Sequence, residues 1–466
     1  MTTEGFDPAH VEAFRYLGHD VDVADTTVTV RCHYALDDLE FTETVTVHAP
    51  SGVDPSATTA IRAAARLLHL LAGVSYFKAA APPLIEITDG GLTTPERQLL
   101  DAFYLDGLGE FAYRNDLDLS GLRIDATDTT EHPGPRHSGE PRRPLIPFGG
   151  GIDSIVTVEG VRAADPTVDA ALFVMSRAGD RFAAIEGPAA TTGLPVVRAE
   201  RALDPKVLRS AELGFRNGHV PVTGVLSAVA LVAAAATGRD AVVMSNEWSA
   251  SSGNLTHAGR VVNHQWSKSL AFEDLFRRVL ATSPLSGIDY FSWLRPFSEL
   301  WVARRFATLE AFHDVFRSCN RSFHLNPADR LDTWCGRCDK CCFIDLILSP
   351  YVPADTLRRI FGGAEPLADV ALATTFRALA GLSEDAKPFE CVGDVDECRV
   401  ALLLAAGRPD RRDDVVLAEL ADATRAVVPG DPADHARNLL GALGPHHIPV
   451  GLRPVELLGD GSERND

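Results

Sequence analysis

Short apolar runs with strand character alternate with helical segments between residues 144 and 245. The runs "PLIPF", "AALFVMS", "PVVRAE" and "DAVVMS" predict strands, whereas residues 154–161 and 222–237 predict helices. A chain that alternates strand and helix in this way forms a parallel sheet with helices on both faces. We therefore predict an α/β fold, with a twisted parallel sheet covered by helices over residues 144–349.

Two shorter patterns precede this domain. The segments "TTVTVRCHY" and "FTETVTVHA" alternate apolar and polar residues, which predicts an antiparallel pair of strands. In the next segment Ile61, Ala65, Leu68 and Leu71 recur at helical spacing, and "TPERQLLDAFYLDGLGEFAYRN" predicts another helix. Residues 1–129 are thus predicted to form a small N-terminal α/β unit.

The other segments are assigned from their composition. Residues 130–143 are polar, rich in Pro and His and without periodicity, so we predict a linker. Residues 350–458 are rich in Ala and Leu, with few β-branched runs, which predicts a mostly helical C-terminal region. Residues 459–466 are predicted to be a disordered tail.

Charge and hydropathy exclude several classes of partner. The net charge is −20 and basic residues form no dense runs, so nucleic acid is not expected to bind. The most apolar stretch, residues 222–238, is shorter than the roughly 20 residues of a membrane-spanning helix, and we predict a buried helix instead.

The start "MTTEGFDPAH" lacks the features of a secretory signal. Eight cysteines, four of them in "CGRCDKCC", do not resemble an extracellular disulfide framework. We expect a cytoplasmic protein, and no pattern indicates its oligomeric state.

Three glycines, Gly149, Gly150 and Gly151, follow the first strand of the central domain and precede a helix. Such a loop exposes unpaired N–H groups at the positive end of the helix dipole, which suits a phosphate. A tight turn without a ligand is the alternative. The segment "GGGIDS" has neither the Lys-Ser/Thr ending of a Walker loop nor the spacing G-x-G-x-x-G.

The same segment resembles the PP-loop, S-G-G-x-D-S, of N-type ATP pyrophosphatases. Gly150, Gly151, Asp153 and Ser154 match, whereas Gly149 stands where the first Ser is usual. The resemblance implies a PP-loop (HUP-like) fold and cleavage of ATP between its α and β phosphates. It also implies that Ser154 and the glycine N–H groups hold the β and γ phosphates, and that Asp153 orients the loop or binds Mg²⁺.

A cysteine cluster predicts a metal site. Cys335, Cys338 and Cys341 are spaced C-x-x-C-x-x-C, and either Cys319 or Cys342 could supply a fourth thiolate for tetrahedral Zn²⁺. Some PP-loop enzymes, the deazaguanine nitrile synthases, have a similar zinc knuckle. Four thiolates leave no open coordination position, so the zinc would be structural. Buried cysteines without metal are the alternative.

A more specific resemblance covers most of the chain. Six segments together resemble the MurL family, the UDP-N-acetyl-α-D-muramoyl-L-alanyl-L-glutamate epimerases of peptidoglycan precursor synthesis. They are "SYFKAAAP" (75–82), "YLDGLGEFAYRNDL" (104–117), "IPFGGGIDSIVTVE" (146–159), "SNEWSASSGN" (245–254), "VNHQWSKSLAFE" (262–273) and "WCGRCDKCCF" (334–343). The resemblance implies that a nucleotide-sugar dipeptide is the substrate and that its terminal L-Glu is inverted to D-Glu. It further implies that ATP and Mg²⁺ are used and that AMP and pyrophosphate are released.

An ATP-cleaving loop is chemically coherent with epimerisation. The α proton of a carboxylate is a very weak acid, because its removal places a second negative charge beside the first. Transfer of AMP to the carboxylate gives an acyl ester with a far more accessible enolate. A general base then removes the proton, and an acid returns one on the opposite face.

Several residues are candidates for this chemistry. Glu247 follows the strand "DAVVMS" and is predicted to be the base or a Mg²⁺ ligand, or else a helix cap. His264 and Lys268 are further catalytic candidates, and Arg260 is a candidate for binding the anionic substrate. These last three share one face if the segment is helical, and could still converge if it is a loop.

Polar residues of the N-terminal unit complete the candidate set. Tyr76, Lys78, Glu110 and Arg114 are predicted to bind the UDP-sugar or the peptide. The segment "FRNGHVPVTG", which contains His219, is either a ligand loop or a simple turn. Two other functions remain open: an ATP-dependent ligase or amide synthase that acts through an acyl-adenylate, and a nucleotide-binding module without activity.

Overall fold

The computed structural model describes residues 6–135, 139–324, 326–383, 390, 392–428 and 430–457. Its N-terminal elements are β1 (Ala13–Val23), β2 (Thr27–Leu36), β3 (Leu39–His48), α1 (Thr58–Ala72), α2 (Val74–Phe77), β4 (Leu84–Ile87), α3 (Thr94–Leu105), α4 (Gly109–Arg114) and β5 (Arg123–Asp125). The predicted antiparallel pair is confirmed as β2 and β3. The helix predicted over 94–115 is two helices, α3 and α4.

The central elements follow the predicted alternation. They are β6 (Pro144–Pro147), α5 (Ile152–Ala164), β7 (Ala171–Ser176), α6 (Ala183–Thr192), β8 (Val196–Ala202), α7 (Pro205–Leu208), α8 (Val222–Ala236), β9 (Ala241–Met244), β10 (Leu255–His257), β11 (Arg260–Val262), α9 (Leu270–Ala281), β12 (Asp289–Ser292), α10 (Glu299–Ala307) and α11 (Asp339–Leu348). The predicted strands and the two predicted helices between residues 144 and 245 are all confirmed.

The C-terminal region is helical, as its composition predicts. It contains α12 (Ala354–Ile360), α13 (Ala373–Leu379), α14 (Val395–Ala406), α15 (Val415–Val427) and α16 (Pro432–Leu439). In the predicted linker, residues 131–135 have no regular structure, and residues 136–138 and the predicted tail lie outside the described residues. Within the described part of the chain, every helix is too short or too polar to cross a bilayer.

One sheet runs through the N-terminal and central residues. Over the described residues it has ten strands in the order β12-β9-β6-β7-β8-β3-β2-β1-β4-β5. Neighbours from β12 to β8 are parallel, whereas β3 pairs antiparallel with β8, with Thr44 opposite Ala202. The sheet is therefore mixed and not purely parallel as predicted, because the N-terminal strands extend it instead of forming a separate sheet.

The parallel strands bury both faces, which explains their nearly continuous apolar runs. Leu145 and Phe173 face a core that also contains α1 and α8. Ile146 and Leu172, their alternate neighbours, face a second core with α5, α10, α11 and the C-terminal helices. The carboxyl ends of β6, β9 and β12 meet at one edge of this sheet, and the segments that follow them form the candidate site.

Candidate active site

The glycine loop joins β6 to α5 at this edge. Gly150 has φ +76°, and a Cβ there would lie 2.2 Å from the backbone oxygen of Ala184. Gly151 is the N-cap of α5, so the first N–H groups of that helix lie beside the loop at the positive end of its dipole. A Cβ at Gly149 would meet nothing within 4 Å. The backbone therefore requires glycine at 150, whereas a Cβ at Gly151 would meet only the Ser318 Oγ, at 2.8 Å.

Gly150→Ala is expected to destabilise the protein by about 2 kcal/mol or more, since an L side chain is strained at this φ and clashes with the Ala184 carbonyl. Gly149→Ser, which restores the usual first residue of a PP-loop, is the matched control and should leave the unfolding midpoint unchanged. Thermal unfolding of both variants tests this. Equal midpoints for the two would show that the loop backbone is not sterically fixed.

A pocket of about 440 Å³ opens in front of the loop. One wall is apolar and suits a flat base; it consists of Phe148, Phe173, Met175, Ile185, Leu226, Met244 and Phe323. The lining also includes three cationic side chains, Lys268, Arg317 and Lys340. These three cations complement a polyphosphate although the whole chain is acidic. A larger pocket of about 660 Å³ beside Asp274 and Arg277 contains neither the loop nor these cations.

Three carboxylates converge beside the loop. Carboxylate oxygens of Asp153, Glu247 and Glu299 lie within 4.8 Å of one another, and Glu247 and Glu299 are each only 3% exposed. Burial, and then the charges of Asp153 and Glu247, raise the pKa of Glu299 well above its usual range. Its Oε2 atom is buried and accepts no hydrogen bond from the described residues. A cation bound here would favour the charged form of Glu299, and the charge of Lys340 already acts in that direction.

The cluster fits Mg²⁺, which prefers carboxylate oxygens and is often held by few of them together with substrate phosphates. Asp153 belongs to the first turn of α5, and Glu247 follows β9. The alternative that Glu247 caps a helix is not supported, because its side chain makes no capping hydrogen bond to the turn at Trp248–Ser251. Asp153, Glu247 and Glu299 are therefore the residues that could hold a divalent cation at the pocket.

The C-terminal region reaches this cluster through Glu397 at the start of α14. Its Oε1 accepts a hydrogen bond of 3.2 Å from the backbone N–H of Glu299, at the first residue of α10. Burial raises the pKa of Glu397 to about 8. The helical region thus positions a carboxylate at the sheet edge.

A buried arginine holds the backbone of two segments of the site. Arg295, 1% exposed, pairs with Glu273. It also donates to the backbone oxygens of Glu247, at 3.0 Å, and Lys268, at 2.6 Å. One guanidinium therefore fixes the segments that carry two predicted catalytic residues.

A second polar cluster forms around Glu110 and does not itself line this pocket. His264 Nδ1 is hydrogen-bonded to Glu110 Oε2, and His219 Nδ1 lies 3.9 Å from the same oxygen. The two imidazole rings are 4.3 Å apart between centroids. Arg114 donates to Glu110 Oε1 at 2.6 Å. The structure therefore brings together three predicted site residues, Glu110, Arg114 and His264. His219 is a fourth member of this cluster.

Local charges set the protonation of this cluster. Burial raises the pKa of Glu110, but hydrogen bonds from His264 and Arg114 outweigh it and hold the pKa below its usual value. Burial and the neighbouring His264 lower the pKa of His219 to about 4, against the opposing effect of Glu110. Burial also lowers the pKa of Lys78, whose Nζ donates to Asn217 Oδ1 at 2.9 Å. At neutral pH His219 is thus uncharged.

Lys268 connects the two clusters. It lines the pocket of the glycine loop, and its charge contributes to the lowered pKa of His219. Arg260 lies in strand β11 and Lys268 in a 3-10 turn. The helical face proposed for Arg260, His264 and Lys268 is therefore wrong, and His264 and Lys268 converge through a loop.

None of the five predicted substrate residues lines the pocket of the glycine loop, and Tyr76 and Arg260 have contacts elsewhere. Tyr76 is fully buried, and its hydroxyl group donates to Glu43 Oε2 and accepts from the backbone N–H of Asp204. It holds the core beneath the sheet instead of facing a ligand. Arg260 pairs with Asp106 and lines a separate pocket of about 580 Å³.

Four cysteines form a metal-binding geometry. The sulfurs of Cys319, Cys335, Cys338 and Cys341 lie within 4.8 Å of one another, with 3.7 Å between Cys335 and Cys341 and 3.4 Å between Cys338 and Cys341. Sulfurs about 3.8 Å apart are expected around tetrahedral Zn²⁺ with Zn–S bonds of about 2.3 Å. Cys342 is buried outside this group, so the geometry favours Cys319 as the fourth ligand.

Sequence reasoning missed Glu299, Arg317 and Lys340. Glu299 begins α10, far along the chain from Asp153, and no motif joins them. Arg317 and Lys340 could have been found by their neighbours, because they lie next to or between the cysteines of a predicted zinc site.

Comparisons with known proteins match the chain over nearly its whole length. Models of the MurL N-terminal domain and the MurL C-terminal domain match residues 5–293 and 315–435. A relative from Xanthomonas oryzae pv. oryzae, named UDP-N-acetyl-alpha-D-muramoyl-L-alanyl-L-glutamate epimerase, is 39% identical over 96% of this chain and 97% of its own length. Relatives of the same name from Micromonospora sp. and Salinispora tropica are each 37% identical, over 94% and 93% of this chain and 96% of their own lengths. No solved structure is recognisably similar. The chain therefore belongs to the MurL family and is an enzyme, an amino-acid epimerase.

Proposed function

We propose that this enzyme inverts the terminal L-Glu of UDP-N-acetylmuramoyl-L-alanyl-L-glutamate to D-Glu, in peptidoglycan precursor synthesis. The support is the shared name of three relatives that match the chain over nearly its whole length. The proposal implies a cytoplasmic enzyme with a nucleotide-sugar dipeptide as substrate.

We further propose that ATP activates the glutamyl carboxylate by adenylation. The observation that carries this step is the group of three carboxylates, Asp153, Glu247 and Glu299, beside a glycine loop at a helix N-terminus. That arrangement suits a nucleoside triphosphate with its divalent cation, and the sequence of the loop supports membership of the PP-loop superfamily. Simple cofactor-free racemisation would need neither feature.

In the first step a carboxylate oxygen of the substrate attacks the α phosphorus of ATP, and the bond to the β phosphate breaks to release pyrophosphate. The loop N–H groups and the cations Arg317 and Lys340 offset the charge of the departing pyrophosphate. Asp153, Glu247 and Glu299 would hold Mg²⁺, which supplies further neutralisation of phosphate charge when bound. Ser154 Oγ donates to the Gly151 carbonyl at 3.1 Å and so keeps the start of the helix rigid.

In the second step a base removes the α proton of the acyl-adenylate, and the electron pair of that bond enters the enolate. A proton then adds to the opposite face, and water attacks the acyl carbon to release AMP and the D-glutamyl carboxylate. Lys268 lies between the nucleotide pocket and the histidine cluster, so its charge suits the developing enolate or the α phosphate. The cleavage of ATP makes the cycle irreversible.

Structural Zn²⁺ at Cys319, Cys335, Cys338 and Cys341 would support the nucleotide pocket. Arg317 and Ser318 directly precede the first of these cysteines, and Lys340 lies between the last two. All three line the pocket. The role proposed for zinc is to hold this segment against the glycine loop.

The test is incubation with ATP, Mg²⁺ and UDP-N-acetylmuramoyl-L-alanyl-L-glutamate in D₂O, with and without ATP. We expect AMP, pyrophosphate and D-Glu carrying deuterium at the α carbon, all dependent on ATP. A new amide in place of D-Glu would identify a ligase. Deuterium incorporation at the same rate without ATP would rule out adenylation.

A further inference from the structure

The cluster of Glu110, His219 and His264 has a geometry that the adenylation site does not use. Glu110 is buried, with 5% of its side chain exposed, whereas His264 and His219 keep 14% and 24% exposed. A buried carboxylate that contacts two partly open imidazoles orients them toward a ligand while remaining inaccessible to it. This arrangement is typical of a general base with its orienting acid.

We propose that His264 and His219 are the proton-transfer groups at the glutamyl α carbon, and that Glu110 positions them. This inference rests on the function proposed above and assigns the groups that exchange the proton. The cluster adjoins the nucleotide pocket through two lining residues, Val222, three residues after His219, and Lys268, four residues after His264. An adenylated carboxylate at the glycine loop can therefore extend its α carbon toward the imidazoles.

The surroundings favour proton transfer over a metal site, although the three residues are close enough to share an ion. Both oxygens of Glu110 are already bonded, Oε1 to Arg114 and Oε2 to His264. Lys78 and Lys268 add positive charge around His219. A divalent cation would compete with these bonds and would be opposed by the charges of Lys78 and Lys268.

The protonation states suit the reaction. His219 is uncharged at neutral pH because burial and the charges of His264, Lys78 and Lys268 oppose its protonation more than Glu110 favours it. The carboxylate of Glu110, itself held by Arg114, stabilises the imidazolium that forms when His264 accepts a proton. A neutral His219 and a His264 whose protonated form Glu110 stabilises allow a proton to be taken up and passed on.

An imidazole nitrogen takes the α proton, and the C–H electron pair becomes part of the enolate of the acyl-adenylate. Because the rings lie side by side, 4.3 Å apart, the cluster serves one face of the carbon. The enolate takes a solvent-exchangeable proton on the opposite face, and the imidazolium returns its proton to solvent.

Two measurements on the same variants separate this role from adenylation. His264→Gln and His219→Gln are expected to lower deuterium incorporation at the α carbon by about 100-fold or more. Substrate-dependent exchange of labelled pyrophosphate into ATP should stay within about threefold of wild type, since the loop and its carboxylates are intact. His257→Gln, on the neighbouring hairpin, is the matched control and should change neither rate.

Glu110 has its own test, because it acts through the imidazoles. Glu110→Gln should lose deuterium incorporation and keep pyrophosphate exchange, whereas Glu110→Asp should recover part of the incorporation. A merely structural role would lower both rates together and show no such recovery. Thermal unfolding of each variant verifies that the chain is folded.

Several outcomes would overturn the assignment. These are unchanged incorporation in both histidine variants, equal loss of incorporation and pyrophosphate exchange, or a stoichiometric transition metal that wild type holds and His264→Gln lacks. If wild type itself shows no pyrophosphate exchange, the proposed adenylation fails and this assignment fails with it. Absence of pyrophosphate exchange in wild type would thus count against adenylation itself, whereas its loss in the variants alone would count only against the roles assigned to the histidines.

Discussion

Asp153→Asn is expected to lower AMP formation by about 10³-fold or more while the protein stays folded. The side chain belongs to the first turn of α5 and to the carboxylate cluster, so the substitution removes a charge that would bind the cation at the transferring phosphate. Steady-state release of AMP and pyrophosphate measures the effect. Asp165→Asn, at the opposite end of the same helix and on the surface, is the matched control.

The stability of the same variant gives a second readout. Three crowded carboxylates repel one another, which is the reason that the charges of Asp153 and Glu247 add to the raised pKa of Glu299. Removing one charge should leave the unfolding midpoint equal or higher, and should abolish the rise that millimolar Mg²⁺ gives to wild type. Normal turnover, or a midpoint that Mg²⁺ still raises equally, would separate Asp153 from the cation site.

Cys335→Ser is expected to remove zinc and to lower the unfolding midpoint by about 10 °C, because structural zinc sites contribute folding free energy directly. The wild-type protein should contain one zinc per chain by elemental analysis. Affinity for ATP should fall as well, since Arg317, Ser318 and Lys340 lie beside the cysteines and line the pocket.

Cys342→Ser is the control for this prediction. Cys342 is buried and adjacent to Cys341 but lies outside the group of converging sulfurs. The variant should keep its zinc even if the buried hydroxyl group lowers stability somewhat. Absence of zinc from wild type, or its loss in Cys342→Ser but not in Cys335→Ser, would contradict the proposed ligand set.

The sequence predicted the central elements well because their signals are local. Strands buried on both faces are nearly all apolar, as in "PLIPF" and "AALFVMS", and α8 is a long apolar run. The glycine loop was also identified locally, since Gly150 is required by a positive φ at a strand-to-helix turn. The cysteine spacing indicated the metal geometry for the same reason.

Features that depend on distant pairings were not predicted. The antiparallel union of β3 with β8 joins residues about 150 positions apart in the chain, and alternation alone fits a hairpin in any sheet. Glu299 reaches Asp153 only because β9 and β12 are neighbours and α10 starts at their common edge. Tyr76 was predicted to contact the substrate because its hydroxyl group is polar. In the structure that hydroxyl group is hydrogen-bonded in the core, to Glu43 and to the backbone of Asp204.

The union of β3 with β8 has a consequence for motion. Many enzymes enclose a bulky substrate by closing two lobes about a hinge. Here the N-terminal unit and the central domain share one sheet, and α1 packs on α8, so the two parts are held together as one unit. Glu110 belongs to one half and Asp153 to the other, so their separation is a rigid dimension of the enzyme. The nucleotide-sugar must then be accommodated without a change in that spacing.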